Sequence, residues 1–226
     1  MNRKWIVPLG ALPVVLIGAL ILARNLSDEG TGSTDAWTLL ANAAGTSREP
    51  LFDSLEDIEP GAPTGCDVVV QGSVVDVVAL RAFVSSEDPD ADGGTIVAPE
   101  DAPTSGAVHW IGLVVRVDDV LAGSLPSEYG GQVYVEVLRP GPYSVDQLRA
   151  RLVDGRTGYY FLRRPRDFPG AEAVPLPPGT YRLAADAAFL ERPDGTLDSP
   201  LLSEDERELL LPADATAADL VARLLD

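Results

Sequence analysis

The chain is poor in the residue types that most often do chemistry. It has one cysteine (Cys66), one histidine (His109) and one lysine (Lys4). A lone cysteine excludes an internal disulfide, so the 226 residues must hold together through an apolar core. A lone histidine excludes a histidine-built metal cluster and needs other partners to act as a base. Positive charge is scarce too, with 17 Lys and Arg against 35 Asp and Glu and a net charge of −18. Nucleic acid and anionic lipid both demand clustered cations, so neither is expected as a partner. Ser73 follows a glycine, but no Gly-x-Ser-x-Gly elbow surrounds it. The near-absence of lysine beside abundant Ala, Gly, Pro, Val and Asp is the usage of a GC-rich bacterial genome.

What the chain does have is one long apolar run at its front. Arg3 and Lys4 precede Trp5 to Ala23, and Arg24 follows. Nineteen residues rising about 1.5 Å each make a helix of roughly 28 Å, close to the roughly 30 Å hydrocarbon core of a bilayer. Residues 5–23 therefore read as an uncleaved transmembrane signal anchor. Pro8 and Pro13 are tolerated in such a span, with kinks. A cleaved signal peptide is the alternative, and the chain would then be secreted. Its apolar core is usually shorter and ends at a small-x-small site, whereas Ile21 occupies the position where a small residue is needed for a cut after Ala23. Arg3 and Lys4 hold residues 1–4 in the cytoplasm, which places the body outside the cell membrane. Residues 1–26 hold three cations and no acid, leaving −21 on that body.

Residues 24–50 read as a juxtamembrane linker with one short helix. Ser33 or Thr34 would cap it, Trp37, Leu40 and Ala44 would share a face, and Gly45 would lie past its end. The extracytoplasmic domain is expected over 51–226. Pro50 opens a second helical pattern with Leu51, Leu55 and Ile58, which Pro60 to Pro63 stops. Asp67 to Val78 is nearly continuous valine and predicts a strand covered on both faces, with Gly72 marking a bulge or bend. His109 to Val117 alternates: Ile111, Leu113, Val115 and Val117 face one way, Trp110, Gly112, Val114 and Arg116 the other. Asp118 to Gly123 reads as a turn. Gln132 to Leu138 is a third strand with Val133, Val135 and Val137 inward. Ser144 caps a helix carrying Val145, Leu148 and Leu152, and Gly155 follows it. Thr157 to Arg163 and Thr180 to Glu191 are strands four and five, and Arg192 to Gly195 turns into Thr196-Leu197. Thr216 and Asp219 start a last helix with Leu220, Val221 and Leu224 on its buried face. The expected fold is mainly β (α+β by content). It is a five-stranded OB-like barrel with a helix between strands three and four and a C-terminal helix. A generic antiparallel sheet with helices on one face fits nearly as well, but closure removes exposed strand edges.

Three stretches carry a resemblance. Cys66-Asp67-Val68-Val69-Val70-Gln71-Gly72-Ser73-Val74 resembles a first barrel strand, and Val114 to Gly123 (VVRVDDVLAG) a second with its glycine turn. Gly155 to Leu162 (GRTGYYFL) resembles the glycine-then-aromatic start of a fourth. Over residues 54–200 the chain resembles exported bacterial proteins of unknown function with an OB-fold-like domain, related to the netrin and metalloproteinase-inhibitor module. The resemblance implies fold and exported location, not activity. Eukaryotic inhibitors of this shape chelate a protease zinc through an amino-terminal cysteine. Cys66 is internal, so that role does not carry over.

The sharpest chemical lead is Asp88-Pro89-Asp90-Ala91-Asp92-Gly93. Alternating carboxylates before a glycine can wrap calcium with hard oxygen ligands. The pattern then breaks, because the closing glutamate position holds Pro99 and Glu100 comes one residue late. Asp88, Asp90, Asp92 and Glu100 are thus candidate calcium ligands in what otherwise reads as a solvated acidic loop. No cofactor besides calcium is suggested. Cys66 reads as a half-buried residue opening a strand rather than a lipidation site. His109 reads as structural, and Glu204, Asp205, Glu206 and Glu208 as a solvated helix face. Tyr159, Tyr160 and Phe161 read as core rather than as stacking platforms. The expected function is a membrane-anchored, non-enzymatic binding or interaction module whose partner is a protein or cell-envelope component. The alternatives are a calcium-binding envelope or adhesion module, and a hydrolase whose carboxylate site only folding would assemble. Calcium titration of the full chain by calorimetry checks the loop. If the loop takes calcium, so open a site implies millimolar affinity, and absence of heat in that range removes the calcium reading.

Overall fold

The structure is a computed structural model, described for residues 36–44, 54–62, 65–85, 94–103, 105–165 and 173–225. One compact unit spans Asp35–Asp226. The anchor read at 5–23 and three of the four calcium candidates, Asp88, Asp90 and Asp92, lie outside the described residues. Among the described residues no helix is long and apolar enough to cross a membrane.

Among the described residues seven strands form: β1 (Val68–Ser85), β2 (Gly94–Val97), β3 (Ala107–Gly123), β4 (Gln132–Leu138), β5 (Gly158–Arg163), β6 (Thr180–Glu191) and β7 (Leu197–Asp198). Four α-helices among the described residues accompany them: α1 (Ala36–Ala44), α2 (Val145–Leu152), α3 (Glu204–Leu210) and α4 (Ala217–Leu225). Five strands close into a barrel in the order β1-β3-β4-β6-β5, and β5 returns to β1. All neighbours in the ring are antiparallel except β4 and β6, which run parallel. α2 lies between the third and fourth barrel strands in sequence, where the residue pattern places a helix. Ser144 caps it, its hydroxyl accepting from the Gln147 N–H at 3.2 Å.

Closure depends on glycine. Gly72 is paired with Gly158 across β1 and β5, and with Val117 across β1 and β3. A Cβ on Gly72 would run into the Arg116 backbone carbonyl, and one on Gly158 would strike the Tyr160 ring and hydroxyl. The register of β1 shifts between Gln71 and Gly72, so the bend expected at this glycine is there. It lets β1 belong to both sides of the ring.

The valine-rich strands are buried on both faces because the protein has two cores. The inner one fills the barrel with Val70, Val74, Leu113, Val135, Tyr160 and Leu190 among others. Leu148 and Leu152 of α2 join it, as do Trp37 and Leu40 of α1. The folded unit thus takes α1 with it, since a helix carrying Trp37 and Leu40 on one face buries them against the barrel. The outer core lies between β1, β5 and β6 and the covering segments α3 and α4, with Val69, Phe161, Phe189, Leu210 and Leu220. Consecutive residues of β5 serve the two cores in turn. Tyr160 and Leu162 point in, while Tyr159 and Phe161 point out against Phe189, ring centroids 5.9 Å apart.

Three local readings change. Asp118 to Gly123 is not a turn. β3 continues through it, pairing Val69 with Ala122 and Gln71 with Asp119, and ends at Gly123 with φ +76°. The acids lie on an exposed stretch where charge costs nothing, so they did not stop the strand. In the 50–58 helical pattern, the described part is a single 3-10 turn, Leu55–Asp57, that docks Leu55 and Ile58 into the outer core. β1 runs on past Val78 to Ser85 and pairs there with β2, so part of the region read as loop is strand.

Replacing Gly72 with Ala is expected to lower stability by about 2–3 kcal/mol in urea melts, the cost of forcing a methyl into packed backbone. Gly141→Ala, at a site with open space around it, is expected to stay within about 0.5 kcal/mol.

Candidate functional site

The most unusual side chains lie on the outer face of β3 and β4, opposite the barrel core. Residue 80 is an extra residue in β1: Ala79 pairs with Ile111 and Arg81 with the adjacent Trp110. Such a bulge re-aims the side chains around it. Arg81 is thereby turned onto the outer face and reaches Glu136 on β4. Its Nε donates to Glu136 Oε1 at 2.7 Å and its Nη2 to Oε2 at 3.1 Å. Arg182 on β6 donates its Nε to Oε2 of the same carboxylate at 2.7 Å. Arg81 is 2% exposed and the Glu136 side chain 0%. The Arg81 guanidinium also sits over the Trp110 ring, 5.8 Å from its centroid. Gly112, paired with Glu136, leaves room for Leu80 to cross above it, and a Cβ there would lie 3.2 Å from Leu80 Cγ.

A bidentate guanidinium–carboxylate pair with a second arginine on the same oxygen fixes three strands at once, because the planar fork tolerates little rotation. Above this ionic base the face is apolar. Phe83, Trp110 and Leu138 are half-buried, and Val108 is 46% exposed. Strand register sets them side by side: Phe83 opposite Val108, Trp110 opposite Leu138. Chemically the arrangement offers an aromatic and aliphatic patch on a rigid base, with no nucleophile within it.

The residues singled out by sequence take plain roles. Glu100 is exposed on the 3-10 turn Pro99–Asp101. Among the described residues no three of His, Cys, Asp and Glu group so as to hold a metal. Cys66 is buried in the outer core and burial pushes its thiol up to about 12, so it carries no thiolate at neutral pH. Burial likewise raises the Tyr159 phenol, which donates to Glu191 at 2.6 Å. Glu204, Asp205 and Glu208 are exposed on α3. Glu206 closes a capping box with Ser203, accepting from the Ser203 N–H at 2.9 Å. The solvated-face reading holds.

The Arg81–Glu136–Arg182 group escaped the sequence reading. Glu136 stands at an outward position of an alternating strand, which normally means solvent, and its partners lie 55 and 46 residues away. The one available signal was Arg81 itself, set between Leu80 and Ala82 in an otherwise apolar run. Comparison with family models, with curated proteins and with solved structures finds no match.

Glu136→Gln is expected to cost about 3–5 kcal/mol in denaturant melts, since it strands the buried Arg81 charge. Asp118→Asn, which breaks the exposed Arg116–Asp118 pair, is expected to cost under about 1 kcal/mol.

Proposed function

We propose that this protein is a membrane-tethered, extracytoplasmic binding module of the OB type, without catalytic activity. Its partner, a protein or cell-envelope component, docks on the outer face of β3 and β4. The observation that carries the reading is the patch of Phe83, Val108, Trp110 and Leu138 above the buried arginine–glutamate base. Tryptophan and arginine held rigid at the centre of an apolar patch are what energetically dominant interface residues look like. The tether is the apolar run 5–23, whose length suits a bilayer. The OB assignment is supported by the ring order β1-β3-β4-β6-β5, the parallel β4–β6 pair and the helix before β5. The deep negative charge of the body favours a partner that is neutral or basic over nucleic acid.

A photo-crosslinking residue placed at Val108 in whole cells tests this. A discrete adduct in the membrane fraction is the expected result, lost on Trp110→Ala and absent when the crosslinker sits at the exposed Leu209 of α3. Equal labelling from positions 108 and 209, or an adduct indifferent to Trp110, would overturn the docking face.

A further inference from the structure

Three strand edges left over by the barrel are each engaged. Arg149 of α2 covers the gap along β1, donating to the Val77 carbonyl at 2.7 Å. The exposed stretch of β3 ties its Val120 N–H to the Asp119 carboxylate at 2.8 Å. β7 gives its Leu197 N–H to the Ala215 carbonyl at 2.8 Å, and Thr196 bridges to Thr216. β2 is different. It pairs with β1 alone, and among the described residues no turn or side chain hydrogen-bonds to Gly94, Thr95, Ile96 or Val97. Beyond its shortness it carries none of the devices by which native edges repel other strands: no lysine, no proline, no bulge and no inward charge.

Register decides which groups that edge offers. The Arg139 N–H, just past β4, donates to the His109 carbonyl, so the backbone groups of His109 face β4. Successive residues of a strand turn these groups to opposite sides. Those of Val108 therefore face β1, and those of its partner Phe83 face β3. Ala82 and Val84 then face β2, Thr95 and Val97 face back to β1, and the N–H and C=O of Ile96 point off the sheet. The Ile96 side chain shares the outer face of the apolar patch, since Ile96 lies opposite Phe83 and Phe83 opposite Val108. Gly94 leaves room for the Phe83 ring, which a Cβ there would strike. An apolar row thus crosses three strands and stops at an open backbone edge.

We propose that β2 takes up an extended segment of a partner protein as an added antiparallel strand, with alternate apolar side chains on the outer face and arginine or lysine at its ends. Backbone hydrogen bonds to Ile96 supply grip, and the side chains set beside Ile96 and Phe83 supply selection. Charge dictates the ends. Glu100 and Asp101 are exposed just past β2, and in sequence residues 86–93 before it hold four acids and no cation. An antiparallel segment brings its amino-terminal end to Glu100 and Asp101. A second copy of this chain fits worse, because two bodies of net charge −18 repel each other. The inference rests on the docking reading for the partner's apolar side chains, but not for the open edge.

The test titrates the full chain with a synthetic peptide, Arg-Arg-Thr-Val-Thr-Val-Thr, and reads amide hydrogen exchange by NMR. Exchange at Ile96 is expected to slow at least about tenfold, with β4 and β5 unchanged. The same peptide with two glutamates in place of the arginines is expected to bind at least tenfold more weakly. Ile96→Pro is expected to abolish the protection, and it removes no ladder bond because that N–H points outward. If the variant does not fold, a peptide with proline in place of both valines makes the same test from the other side. No slowing at Ile96 would overturn the proposal, as would equal binding of the glutamate or proline peptide. Protection of Ile96 that grows with protein concentration in the absence of peptide would overturn it too, by making a second copy the occupant. In whole cells the crosslinked adduct from position 108 is expected to be lost in Ile96→Pro. An adduct that needs Trp110 but not Ile96 would keep the docking face and sink strand addition.

Discussion

The barrel depends on one strand pairing with two neighbours that diverge. β1 is 18 residues long. Its first five residues pair with β5 on one side, while its length pairs with β3 on the other. No straight ribbon does both. Gly72 lets β1 approach the Arg116 carbonyl of β3 more closely than a methyl would allow, and Gly158, paired with it on β5, leaves room for the Tyr160 ring. Between Gly72 and Ala82, where β2 takes over, the β5 side of β1 has no strand partner among the described residues, and α2 packs against that gap. Arg149 donates to the Val77 carbonyl at 2.7 Å and to the Asp76 carboxylate, while Asp76 accepts from the Val77 N–H. The strand edge that closure leaves over is thus capped by side chains, one of the ways native proteins guard an edge against foreign strands.

Much of this was legible in sequence because burial and period coincide. His109 to Val117 alternates, and Ile111, Leu113 and Val115 do line the barrel. Ser144 and Thr216 sit where side-chain capping was expected, and both helices start there. The valine run Val68-Val69-Val70 announced two covered faces, and two cores supply them. What failed to show was anything that depended on charge away from its expected surroundings. Asp118 and Asp119 looked like turn residues because acids disfavour strand interiors. On an outward stretch beyond the core they are merely solvated. Glu136 looked solvated for the same positional reason and is buried. Position along a strand says which way a side chain leaves the backbone, not what another segment lays over it.

The bulge at Leu80 explains why the patch was the least legible part. A regular β1 would keep strict alternation, and a residue one place from Leu80 would face the opposite way. The extra residue breaks the period, so Arg81 reaches Glu136 although no two-residue count predicts it. The same irregularity links the proposed docking face to the fold. The bulge orients the arginine, the arginine fixes the carboxylate, and Trp110 rests against the guanidinium. A patch built this way is stiff before anything binds, which lowers the ordering cost of association.

The ionic contacts also bear on what can approach the molecule. Two of the few cations are turned inward, Arg81 and Arg182, both onto the buried Glu136. Acids such as Glu204, Asp205, Glu208, Asp118 and Asp119 remain in or near solvent. The outward field of the body is therefore more negative than its count of charges alone implies. Anionic polymers and anionic lipid are repelled from most of its surface, and long-range attraction favours basic partners. In the proposed docking, the apolar patch would supply short-range grip to whatever that field admits, so that selection by charge and retention by contact would reside in different residues of the same barrel.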